Sequence, residues 1–319
     1  MSLILVSFLQ SALGIVILFG GGEILVRGTV NFARALKLPA AIIGLTVVAY
    51  GTAAPELMTS LHAAVNGSPD IALGMIIGSN VTNILLVLGI MAWLQPVVTS
   101  TATGRRDGLV MLGSSVLLLL VAWNEEITRG EGAALLAAFT LYVWSTLTSA
   151  RNQGSEAEAA EEARKTSTSS CSWCAVAYIL VGLAMLMTGA DILVDGAASM
   201  ARRLGVSEAV VGLSVVAIGT SLPELAAVIM AALRKEYNLG ISTIIGSNIF
   251  NSLGIVGLSA AFVPIPAAGR FLAIDFWVLL AACLLCLAFL FTGKRLSRNE
   301  GVVFLALFVG YVITLYAFA

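Results

Sequence analysis

Charge is what this sequence has least of. Only 11% of its 319 residues are Asp, Glu, Lys or Arg, less than half the roughly 25% of an ordinary soluble domain. So little polar surface cannot cover the apolar bulk of the chain in water, which excludes a soluble enzyme. Seventeen basic residues against eighteen acidic ones leave a net charge of −1, which offers nothing to nucleic acid. There is one histidine, His62, and there are four cysteines. One His makes an HExxH zinc site impossible, and four Cys make neither a disulfide framework nor a dense metal cluster. Cys171 and Cys174 form a CxxC, but no second pair and no nearby His completes a zinc site. They read as incidental thiols where a helix begins, and Cys283 and Cys286 as packing residues in an apolar run. The N-terminal apolar stretch lacks a basic n-region and a small-residue cleavage site, so it reads as a first membrane span and not as a cleaved leader.

What the chain has is apolar length. Hydrophobic residues make up 59% of it, at a mean hydropathy of +1.00. A membrane helix needs about 20 mostly apolar residues, and runs of that kind recur throughout. The pattern predicts an all-α integral membrane protein with ten transmembrane helices near 3–35, 39–66, 70–94, 107–124, 131–150, 173–203, 207–234, 238–262, 271–293 and 301–318. Several are long enough to require tilt or interruption. One stretch is polar, 151–172, rich in Glu, Ala, Ser and Thr. It divides a first five-helix unit, 1–150, from a second, 173–319. Thirteen Lys and Arg lie beside the loops after odd-numbered spans and four (Arg129, Arg202, Arg203 and Arg270) on the other side. The positive-inside rule therefore puts the central linker in the cytoplasm and both termini outside.

The two units are related. Residues 21–90 align without a gap on 189–258, with 29 identities in 70 positions. One block pairs Gly44, Gly51, Thr52, Pro55 and Glu56 with Gly212, Gly219, Thr220, Pro223 and Glu224. The other pairs Gly78, Ser79, Asn80 and Asn83 with Gly246, Ser247, Asn248 and Asn251. Five helices per unit is an odd number, so the second unit enters the membrane upside down. Such an inverted repeat is how many secondary transporters are built, with the ion site near the midplane. Packing alone would keep small and apolar residues; it gives no reason to keep a Glu, a Thr and two Asn at matched positions inside apolar helices.

The chemistry follows from these residues. Pro55 lacks an N–H and crowds the carbonyl of Gly51, so the helix should break there and leave carbonyls free, for which a cation is a good partner at membrane depth. The same holds at Pro223. Glu56 and Glu224 then become a central pair of acids with no Lys or Arg at matching depth. Two such charges are balanced by one Ca2+, two Na+ or two H+. Ca2+ takes about 6–8 oxygens, which the two carboxylates, the Thr52 and Thr220 hydroxyls, the Asn83 and Asn251 amides and the carbonyls near Ala49 and Ala217 can supply. Hard oxygen donors of this kind suit Ca2+, Na+, Mg2+ or Mn2+ better than Zn2+ or Cu+. Ser79 and Asn83 are four apart and share a helix face, as do Ser247 and Asn251. Gly78 and Gly246 permit close helix approach. Asn80 and Asn248 fall off that face and are expected to hydrogen-bond the broken backbone of the neighbouring helix.

At these residues the sequence resembles the sodium/calcium exchanger family, within the wider calcium/cation antiporter group. The family's two repeats read approximately G-T-S-x-P-E and G-S-N-x-x-[ND], and both blocks occur here twice, in order. The resemblance implies ten helices and alternating access in which helices 1 and 6 slide across the other eight. It places the ion site on Ala49, Thr52, Glu56, Ser79 and Asn83, and on Ala217, Thr220, Ser221, Glu224, Ser247 and Asn251. Two positions depart from the pattern. Ala53 stands where the family often has Ser, and Asn251 where well-studied members carry Asp. The second leaves proton coupling, or another divalent ion, as an alternative to Na+.

The expectation is therefore a monomeric Ca2+/Na+ antiporter of a plasma-type membrane, with H+ as the other candidate counter-ion and no cofactor beyond the transported ions. An intramembrane hydrolase would need a nucleophile with a base or a metal centre, and neither His62 nor any Lys is matched across the repeats. A passive channel would lack a subunit ring. Glu23 and Asp191, matched in helices 1 and 6, read as polar contacts near the interface. His62 reads as hydrogen-bonded, Asp70 as a helix-start residue, Asp195 and Asp275 as helix-end residues, and the Glu-rich run after Arg151 as a solvated linker.

Overall fold

The computed structural model describes residues 2–36, 38–98, 102–161, 172–203, 219–292 and 295–317. Nearly all of them are helical. In chain order the helices are α1 (Ser2–Leu36), α2 (Ala40–Thr52), α3 (Ala54–Val65), α4 (residues 69–94), α5 (Ala102–Ala122), α6 (Arg129–Glu161), α7 (Ser172–Arg203), α8 (Leu222–Leu233), α9 (Tyr237–Phe262), α10 (residues 271–292) and α11 (Arg298–Ala317). Seven of the described helices are long and apolar enough to cross a membrane. The pair α2 and α3, bent by 45° at its break, makes an eighth. Apolar side chains such as Leu5, Val16, Leu120, Trp144, Leu180 and Ile313 face outward, an exposure that a bilayer and not water accommodates.

Two helices stand at the centre. α9 is buried along almost its whole length and α4 along most of it, whereas α1, α6, α7 and α11 are largely exposed. The largest core cluster runs along α4 and α9 through Leu73, Ile76, Ile77, Val81, Ile244 and Ile249 and reaches α10 at Phe276 and α11 at Phe304. α4 and α9 carry the second sequence block, so its Ser and Asn residues lie in the interior. At 35 residues, α1 spans roughly 50 Å, well beyond the ~30 Å hydrocarbon core, so it must tilt.

α1 and α7 pack against each other along their length. A Cβ on Gly189 would lie 2.6 Å from the backbone N of Leu18, and one on Gly182 the same distance from that of Leu25. Only glycine allows backbones so close. Two short antiparallel strand pairs tie the halves together: β1 (Val97–Val98) with β4 (Arg295–Leu296), and β2 (Glu126–Ile127) with β3 (Ile265–Pro266). Each pair joins a strand of the first half to one of the second.

The polar stretch after Arg151 begins as helix, since α6 continues to Glu161. Residues 162–171, with Cys171 of the CxxC, lie outside the described residues, and Cys174 is exposed. Cys283 and Cys286 are buried among apolar neighbours, as packing residues should be.

Candidate functional site

Both proline motifs break their helices in the same way. Ala53 has φ −82° and ψ 8°, and Ser221, its equivalent, φ −91° and ψ 5°. These sparsely populated angles let the chain restart as α3 and α8, each with Pro in its first turn, where a missing N–H costs nothing. Glu56 and Glu224 fall in those first turns, against unpaired backbone N–H groups and the positive end of a helix dipole. Each acid thus sits where a helix start favours negative charge, yet both are fully buried.

Among the described residues their polar neighbours are neutral. The Ser79 hydroxyl donates to Glu56 Oε1 at 3.3 Å and lies 3.4 Å from the Ser221 hydroxyl. Among the described residues, Glu56 Oε2 and both oxygens of Glu224 find no hydrogen-bond partner. Glu224 lies near Glu56, and Thr52 stands beside Glu224. Among the described residues no Lys or Arg pairs with either acid. Two uncompensated buried carboxylates are costly, and a cation between them removes that cost.

Of the other expected residues, Ser79 and Ser221 meet beside Glu56, and Thr52 and Ser247 share the Ala49 carbonyl. Thr52, Ser79, Asn83, Ser221, Ser247 and Asn251 are all buried, while Thr220 is half-buried. Asn83 donates through Nδ2 to Asn248 Oδ1 at 3.2 Å and leaves its own Oδ1 unpartnered. Asn251 has neither amide atom paired. Ala217 lies outside the described residues.

Two expectations need correcting. The break does not leave the Ala49 carbonyl free: it accepts from Ala53 N at 3.1 Å, from the Thr52 hydroxyl at 3.2 Å and from the Ser247 hydroxyl at 3.2 Å. The Thr52 hydroxyl from its own turn and the Ser247 hydroxyl from α9 satisfy it. Nor do Asn80 and Asn248 brace the broken helices. Asn248 donates to the Asn80 carbonyl at 3.2 Å and Asn80 to the Ser252 hydroxyl at 2.9 Å, so they bind α4 to α9. Ser252 was not anticipated from sequence, and no repeated motif marks it. Nor were the π-helical stretches Asn83–Val87 and Phe250–Ile255. They place Asn83 and Asn251 on widened turns of the kind that gather at functional sites.

Gly246 does allow close approach: a Cβ there would lie 2.3 Å from the Leu45 carbonyl. Gly78 meets none of the described residues within 4 Å. Glu23 pairs with Arg27 and Arg234, the polar contact expected of it, while Asp191 is exposed. His62 Nδ1 is 3.0 Å from Asn66 Nδ2. Asp275 is more than a helix-end residue. It is buried, and Arg270 donates to it at 3.2 Å. Asp107, at the same offset in the first half, is also buried, beside Arg106.

Comparison with known proteins gives a consistent picture. The family model described as sodium/calcium exchanger protein matches residues 6–148 and 174–317. The putative antiporter CaxA of Alkalimonas amylolytica is 38% identical over 98% of this chain and 99% of its own. The sodium/calcium exchanger MaX1 of Methanosarcina acetivorans is 30% identical, again over 98% and 99%. The solved structure of the sodium-calcium exchanger NCX_Mj soaked with Na+ superposes with a TM-score of 0.84 at 28% identity, covering 98% of this chain and 99% of that one.

Proposed function

The chain belongs to the sodium/calcium exchanger family, and from that premise we propose that it exchanges Ca2+ for Na+ by alternating access at a site near the membrane midplane. The family is one of transporters, and the chain is a multi-pass membrane protein. Glu56 and Glu224 are the primary ligands and charge carriers in this reading. Thr52, Thr220, Ser79, Ser247, Ser221, Asn83, Asn251 and the Ala217 carbonyl complete the shell.

We read ten crossings in two inverted five-helix units, 1–150 and 173–319, joined by a cytoplasmic linker at 151–172, with both termini outside a plasma-type membrane. Three observations support the inversion: the repeat at an offset of 168 residues, the near-identical breaks at Ala53 and Ser221, and the reciprocal strand pairs β1–β4 and β3–β2. A single copy supplies both acids, so one chain suffices for the site.

One observation carries the reading above the rest. Two matched acids, each fully buried at a helix start, hold three oxygens with no hydrogen-bond partner among the described residues. Such groups need a mobile positive charge to stay ionised. The test is uptake of radiolabelled Ca2+ into proteoliposomes loaded with Na+. Uptake should follow the Na+ gradient and be lost in Glu56→Gln and in Glu224→Gln. Full activity in either variant would sink the proposal. Uptake driven by a pH gradient and not by Na+ would instead assign H+ as the counter-ion.

A further inference from the structure

Glu23 is matched by Asp191 in the second half, but the partners of Glu23 are not matched in kind. On α1, Glu23 accepts from Arg27, one turn on, at 2.8 Å, and from Arg234, which follows the end of α8 and lies 211 residues away. At the same offset of 168, Arg27 is matched by Asp195 and Arg234 by Asn66. Asn66 is neutral, and its amide donates to the His62 carbonyl. The ion pair that ties α1 to α8 therefore has no equivalent in sequence between α7 and the end of α3.

Packing is one-sided in the same sense. Leu18, Leu25 and Val26 of α1 share an apolar cluster with Ala226, Ala227 and Ala231 of α8, and a Cβ on Gly22 would lie 3.0 Å from the Ala226 carbonyl. No residue of α3 belongs to that cluster, and Met58, the counterpart of the fully buried Ala226, is 67% exposed. Two inverted halves that sit unequally have a second arrangement, in which each takes up the other's part and the opposite side of the membrane gains access. In that arrangement α7 covers α3, α8 is uncovered, Glu23 leaves Arg234, and Asp191 and Asp195 approach Asn66. An ion pair present in one of two states shifts their ratio by its own free energy.

We propose, resting on the antiporter reading above, that Glu23 and Arg234 are positioning residues that bias the carrier toward the access state in which α1 covers α8. Breaking the pair moves the population toward the mirrored state while both acids of the ion site stay in place.

The experiment is hydrogen–deuterium exchange on the full ion-free chain in nanodiscs at pH 8, read on the backbone amides of α8 and α3, with Ca2+ uptake measured in parallel. In Glu23→Gln and in Arg234→Gln, α8 should exchange about two- to fivefold faster, the range for a partly exposed ion pair, and α3 more slowly. The charge-reversed double variant, Glu23→Lys with Arg234→Glu, should restore the wild-type pattern. Asn66→Arg gives Asp191 and Asp195 the cation they lack, and should shift both helices in the same directions as breaking the pair. Unchanged exchange in these variants overturns the inference and leaves the antiporter intact, and so does faster exchange in both helices, the mark of a merely structural contact. No Ca2+ uptake by the wild type under a Na+ or a pH gradient overturns the antiporter reading and this inference with it.

Discussion

The hydroxyls of Ser79 and Ser221 lie 3.4 Å apart, although they are separated by 142 residues and belong to different halves of the chain. Ser79 sits on α4 and Ser221 at the break before α8, and Ser79 also donates to Glu56. One small side chain on a central helix therefore touches both broken segments.

That contact predicts graded losses. Ser79→Ala and Ser221→Ala each remove one neutral oxygen from the neighbourhood of the acids while leaving both charges. A hydrogen bond of this kind is worth about 0.5–1.5 kcal/mol, which corresponds to roughly a two- to twelve-fold change in an equilibrium constant. Half-saturation for Ca2+ should rise by that factor, with unchanged elution of the purified protein on size exclusion. A loss of all transport would mean that Ser79 does something other than assist binding.

Removing an acid should behave differently. Glu56→Gln replaces a buried charge with a neutral amide of the same shape, so the ion-free protein should unfold at or above the wild-type temperature. Wild-type protein should gain about 2.7 kcal/mol from Ca2+ at a hundred times its dissociation constant. That gain should vanish in Glu56→Gln and in Glu224→Gln. Thermal unfolding with and without Ca2+ measures it. A Ca2+-dependent rise that survives both substitutions would place the ion elsewhere.

Gly246 predicts a packing effect with a built-in control. A Cβ at this position would press within 2.3 Å of the Leu45 carbonyl, and a backbone atom cannot swing away as a side chain can. Gly246→Ala should cost about 1–3 kcal/mol and reduce exchange, because Leu45 lies in the π-helical stretch Gly44–Val48 that leads to Ala49. Gly113 is exposed on α5 with open space around it. Gly113→Ala should be neutral or stabilising by roughly 0.5–1 kcal/mol through helix propensity. The unfolding midpoint should fall for Gly246→Ala and hold or rise for Gly113→Ala.

The ion pair between Arg270 and Asp275 predicts non-additivity. Asp275 is almost fully buried, Arg270 about a quarter exposed, and their closest atoms are 3.2 Å apart. Asp275→Asn leaves a guanidinium without its counter-charge and should cost about 2 kcal/mol. Adding Arg270→Gln removes the stranded charge, so the double variant should recover part of the loss. A double-mutant cycle on unfolding midpoints tests this; simple additivity would mean that the pair contributes nothing as a pair.

The sequence by itself determined what depends on local chemistry. Apolar length specifies a membrane protein because bilayer thickness sets helix length. Pro55 and Pro223 specify two breaks because a ring without an N–H cannot continue a helix interior. The matched Glu56 and Glu224, each following its Pro, fall in the first turns of the helices that those breaks begin. Only the tertiary structure decided which group satisfies which. That Asn80 and Asn248 bond each other's helices and that Ser247 caps the Ala49 carbonyl depend on how helices far apart in the chain face one another. The same is true of the widened turns at Asn83 and Asn251. Hydrogen-bond choices of this kind are settled by distance in space, which helix periodicity along one chain does not encode.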